Sequence, residues 1–116
     1  MEILNAKITG TTITMADHGC LTFYIFVDAC HLNGGIGGYC IGSGYLGAKE
    51  FSANGNGLEA MMNIMNVVGV SRWEDLQDKY CRVKYNSLGE GFQEIGNIIE
   101  DKWFNLKDFF KSKATE

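Results

Sequence analysis

Asp17 and His18, in the segment "ADHG", are the one place where a carboxylate adjoins an imidazole. Such a pair can pass a proton or hold a ligand. Neighbouring side chains in a turn seldom orient one another as a catalytic base is oriented, and no serine nucleophile is positioned by spacing. An Asp-stabilised turn is therefore the plainer reading, and no catalytic residue is expected. A small hydrolase using Asp17 and His18 stands as an alternative function. His18, Cys20, Cys30, His31 and Cys40 lie close together in sequence, but their spacing matches no zinc knuckle, so neither a metal nor a cofactor is expected.

The second candidate is "HLNGGIGGYCIGSGYLG", residues 31–47, where seven of seventeen positions are glycine. Gly42, Gly44 and Gly47 satisfy the dinucleotide pattern G-x-G-x-x-G, but no helix begins there to face a pyrophosphate, so that reading is set aside. The earlier run "NGGIGGY" is more open to chemistry. Successive unhindered backbone N–H groups can form an anion-binding concavity, and a run this costly to order needs a compensating reason. Asp17, His18, Asn33, Gly34, Gly35, Gly37, Gly38 and Tyr39 are the ligand-binding candidates, with "NGGIGGY" as a binding loop. The later "GSGYLG" is read as strand and turn geometry.

These segments must be carried by a frame that hydrophobic periodicity outlines. "EILNAKITGTTITM" predicts one strand, or a bent pair broken near Gly10. "LTFYIFVDA" predicts a central strand apolar on both faces, and "GGYCIGSGYL" a third strand. Leu58, Met61, Met62, Met65 and Val68 predict the buried face of an amphipathic helix ended by Gly69. Ser71 and Glu74 have capping-box spacing, so "RWEDLQDK" reads as a short helical turn. "YCRVKYN" and "FQEIGNIIE" predict a hairpin turning at "SLGEG", followed by an aromatic segment "DKWFNLKDFF" and a frayed tail at 111–116. The expected fold is α+β: a small, mainly antiparallel five-stranded sheet in the order β-β-β-α-β-β, packed on one helix, as a single domain over 1–116. The same order allows an OB-like barrel as an alternative.

Composition narrows the function classes. With 46% apolar and 21% charged residues the profile is globular. No apolar run approaches the roughly 20 residues of a membrane-spanning helix, so a soluble, cytoplasmic protein without a membrane partner is expected. The four cysteines lack C-x-x-C spacing and read as free thiols. A net charge of −4 with ten scattered Lys and Arg argues against duplex DNA. Trp73, Trp103, Phe104 and Phe109 are large aromatics for so short a chain, and their exposure would mark an interface in a homo-oligomer.

The segments "ADHG", "GGIGGYC", "NVVGVSRWEDLQDKYCRVKY" and "IGNIIEDKWFN" resemble a group of small bacteriophage and prophage proteins. Ala16 stands where that group carries an acidic residue before Asp17. The resemblance implies a phage-encoded accessory protein acting in the cytoplasm of a bacterial host. The expected function is then a non-catalytic counter-defence binder, sequestering a small nucleotide immune signal or blocking a host defence protein. An OB-like single-stranded nucleic-acid binder of phage replication is the further alternative.

Overall fold

The computed structural model describes residues 2–17, 19–30, 32–44, 47–85 and 92–114, with the backbone alone at Ala16, Asp17 and Ala114. It is an α+β chain. Strands β1 (Glu2–Asp17), β2 (Cys20–Ala29), β3 (Leu32–Ser43) and β4 (Ser52–Ala53) lead into helix α1 (Gly55–Val68) and a 3₁₀ turn (Trp73–Leu76). Strands β5 (Tyr80–Tyr85), β6 (Phe92–Asn97) and β7 (Trp103–Asn105) follow, then helix α2 (Leu106–Ala114). Among the described residues the sheet has seven strands in the order β4-β3-β2-β1-β5-β6-β7, every pairing antiparallel. The two strands beyond the expected five are two and three residues long, too short to show an alternating pattern.

β1 joins the two halves of the sheet. Residues Glu2 to Lys7 pair with β5, and Lys7 to Asp17 pair with β2, so Lys7 alone belongs to both ladders. The register slips between Ile8 and Gly10, the break expected near Gly10, and such an irregularity sharpens twist and bends a strand. The two halves therefore lean over a common core. Strands β3 and β6 approach across it: Tyr39 donates a hydrogen bond to Gln93 Oε1 at 3.3 Å, and the Phe92 ring lies against Gly34. No ladder joins β3 to β6 among the described residues, so the sheet is open and the barrel expected as the alternative is not closed.

Helix α1 starts at Asn54, whose side chain accepts from the N–H groups of Asn56 and Gly57, and it stops at Gly69, whose φ of 95° supplies the left-handed cap. Its buried residues are Gly57, Ala60, Met61, Ile64 and Val67. This is the expected stripe moved back by one residue. Leu58 and Met62 are 47% and 67% exposed, and Met65 and Val68 pack at the core margin. The reason is the close approach to β3, where a Cβ at Gly57 would overlap the Cys40 carbonyl oxygen and the Ile41 side chain. Small residues at 57 and 60 let the helix sit down, and larger neighbours turn outward.

Ser71 is not a cap. Arg72 holds the N-cap position without a side-chain cap bond, and its guanidinium meets Glu74 at 3.1 Å. The turn ends at Leu76, short of the expected "RWEDLQDK". The predicted β5–β6 hairpin forms, while its turn at 87–91 lies outside the described residues. The C-terminal aromatics dock on the core: α2 buries Leu106, Phe110 stacks on Tyr39 at 3.9 Å, and Phe104 meets Phe109 at 5.3 Å. Asn105 accepts from the N–H of Asp108, and Lys113 lies 3.7 Å from Glu59 on α1. The helix runs to Ala114, into the span expected to fray, because its apolar face has this docking site.

Cys81 lies fully buried at the start of β5, and burial pushes its thiol up to about 12. At pH 8 only about one such thiol in ten thousand is thiolate, against about a quarter of ordinary thiols. Iodoacetamide should label exposed Cys30 in the native protein and Cys81 only after unfolding. Mass spectrometry of the alkylated peptides checks this, and equal native labelling of both would contradict the packing of β5.

Candidate ligand-binding face

Both helices cover one side of the sheet. On β2 the alternation is regular: Phe23, Ile25, Val27 and Ala29 are buried, while Tyr24, Phe26 and Asp28 face outward. The strand that reads as apolar on both faces in sequence is thus buried on one. Tyr24 and Phe26 are 36% and 44% exposed, with rings parallel to within 10° and centroids 6.0 Å apart. Two adjacent large rings left half open on a sheet are a concentrated apolar feature.

The glycines of β3 explain how the rings sit. "NGGIGGY" is not a loop. It forms most of β3, paired with β2 from Asn33 opposite Asp28 to Tyr39 opposite Phe23. Gly35 lies opposite Phe26, and Gly37 opposite Tyr24. A Cβ at Gly35 would stand 3.6 Å from the Tyr24 ring and 3.9 Å from the Phe26 ring, and one at Gly38 would stand 2.8 Å from the Tyr24 hydroxyl. The bare strand gives the two rings room to spread sideways. The register with β2 slips between Phe23 and Tyr24, which places the consecutive glycines at the irregularity.

Beside Phe26 runs an open groove of about 570 Å³, lined by Thr9, Phe26, Val27, Asp28, Asn33, Gly34 and Gly35. That volume lies within the roughly 300–1,000 Å³ of small-ligand sites. Thr9 donates to the Phe26 carbonyl at 3.3 Å. Asp28 and Asn33 are both exposed and directly opposed across the β2–β3 ladder. On the far side of Asp28, in register on β1, stands Lys7, whose ammonium is 3.8 Å from Asp78.

The candidates from sequence separate in space. Asn33, Gly34 and Gly35 line the groove; Gly37 and Gly38 lie beside Tyr24. Tyr39 points to the other side of the sheet, where Phe110 and Gln93 hold it and burial raises its phenol above the ordinary value. The Asp17 side chain and His18 lie outside the described residues. Trp73 packs edge-on to Phe23 at 6.0 Å, and Phe104 and Phe109 pack on the core. All three are half-buried against the core rather than fully open to solvent. Trp103 lies over Gly96, with Arg82 and Lys84 at 4.9 and 4.4 Å from its ring and its Nε1 bonded to Asp101. Among the described residues no three His, Cys, Asp or Glu side chains gather to hold a metal.

Tyr24, Phe26, Asp28 and Thr9 are not among the sequence candidates. The signal is present in "FYIFVD": Asp28 shares the parity of Tyr24 and Phe26, and a charged residue at that period assigns the face to solvent.

Compared with protein-family models, with curated proteins and with solved structures, the chain matches none significantly.

Proposed function

We propose that the chain is a non-catalytic binding protein whose outer β2–β3 face takes a ligand bearing a nucleobase. The observation that carries this reading is the pair of half-exposed parallel rings, Tyr24 and Phe26, beside a groove left open by a glycine strand. An exposed ring offers stacking to any base, worth about 1–3 kcal/mol per base. The acidic balance of −4 favours a small nucleotide over a long polyanion, since it adds repulsion with each phosphate. In the host context implied by the resemblance, such a face sequesters a nucleotide immune signal.

A second reading has its own support. The succession of three strands, α1 and two further strands suits an OB-like reading even with the sheet open between β3 and β6, since OB folds are partly open and bind oligonucleotides on the face of their second and third strands. The chain would then hold single-stranded nucleic acid on the same rings.

Titration with mononucleotides and with a short single-stranded oligonucleotide tests both. Wild type should bind one class or the other, and Tyr24→Ala with Phe26→Ala should weaken binding by about tenfold or more while leaving far-UV circular dichroism unchanged. Absence of binding to either class would sink the proposal.

A further inference from the structure

We infer, resting on that reading, that the groove selects guanine, with Asp28 and Asn33 reading its edge. Among the described residues neither side chain has a hydrogen-bond or ion-pair partner, and both line the groove that Phe26 walls. Lys7, the cation nearest in register to Asp28, turns to Asp78 and the Tyr80 ring instead. Two polar groups without partners, directly opposed at the foot of an exposed ring, are disposed to read the edge of whatever stacks there.

The chemistry of the pair names the base. An ionised carboxylate is acceptor-only and takes two parallel N–H donors best. Guanine is the common base that presents two adjacent donors on its pairing edge, the ring N1–H and the exocyclic amine, followed by the O6 acceptor. Asp28 accepts from the two donors, and the Asn33 amide donates to O6. Adenine and cytosine place a ring-nitrogen lone pair next to their amine, which repels the carboxylate. Uracil offers one donor between two acceptors. Asp28 alone would also repel a nucleotide phosphate. Lys7 offsets this from β1, because its contact with exposed Asp78 is a surface pair that yields readily.

The test is calorimetric titration of the wild-type chain with guanosine, inosine, adenosine, cytidine and uridine monophosphates. Guanosine monophosphate should bind about tenfold more tightly than the adenosine, cytidine and uridine nucleotides, the scale of a good bidentate contact. Inosine monophosphate, lacking the exocyclic amine, should fall between. Asp28→Asn, checked for native circular dichroism, should lower the ratio of guanosine to adenosine monophosphate affinity by about tenfold, to near one. Equal affinities for all five nucleotides, or a preference that survives Asp28→Asn, would overturn the selection by Asp28 while leaving the stacking face in place. Failure of every nucleotide to bind would remove the inference, and the oligonucleotide arm then decides whether the stacking face survives.

Discussion

Met61→Asp unfolds the chain, and Met62→Asp, one position further on, leaves it folded. Met61 is 8% exposed and belongs to the core cluster with Ile64, Ile41 and Leu106. Placing a carboxylate there without a partner costs several kcal/mol, a large share of a total stability of roughly 5–15 kcal/mol. Met62 is 67% exposed, and a charge there changes stability by no more than about 0.5 kcal/mol. Thermal melts followed by circular dichroism measure the contrast. If both variants melt together, whether both unfold or both persist, α1 does not face the core through Gly57, Ala60 and Met61.

That contrast separates what is legible in the sequence from what is not. The existence and the end of α1 are readable, since the apolar period and Gly69 mark them. Which of two overlapping stripes faces inward is not. Both stripes contain Met61, and hydrophobicity favours the one with Leu58 and Met62, whereas the structure uses the one with Gly57 and Ala60 because the helix must approach the Cys40 carbonyl. Close approach is decided by what the small residue meets, and that partner is 17 positions earlier in the chain. The same limit applies to the sheet. β1, β2, β3, β5 and β6 are readable from composition and alternation; β4 and β7 exist because a neighbouring edge is available to pair with.

The candidate site is half legible. Asn33, Gly34 and Gly35 stand out in the sequence for their backbone donors, and the structure places them along a groove for a different reason, the room that Gly35 leaves beside Phe26. Tyr39 lies on the side away from the groove because the β2–β3 register slips between Phe23 and Tyr24. A slip of one residue exchanges faces, and no local pattern announces it in a strand so rich in glycine. The aromatic C-terminus looks exposed in sequence because its partners, Tyr39 and the core under α2, are remote along the chain.

Gly37→Ala lowers stability by about 3 kcal/mol or more, and Gly35→Ala, two residues earlier in the same strand, does not. Gly37 has φ of 130°, a conformation that side chains rarely adopt, which by itself costs about 1–3 kcal/mol. An added Cβ would also overlap the Phe23 carbonyl oxygen and stand 3.1 Å from the Tyr24 Cα. Those atoms are backbone of the adjacent strand, held by the β2–β3 and β1–β2 ladders, and they cannot move aside as a side chain would. At Gly35 the nearest atoms to a Cβ lie at 3.6 and 3.9 Å, ordinary contact distances. The unfolded chain also loses freedom when alanine replaces glycine, which raises stability by about 0.4–1 kcal/mol where the native backbone permits it. Yet a methyl at Gly35 projects between Tyr24 and Phe26 into the groove, so that variant should melt at or above the wild-type temperature and bind nucleotide less well. Urea denaturation of both variants gives the first comparison, and calorimetric titration of Gly35→Ala gives the second. A Gly37→Ala protein as stable as wild type would refute the strand geometry, and a Gly35→Ala protein that is stable and binds undiminished would move the ligand away from this face.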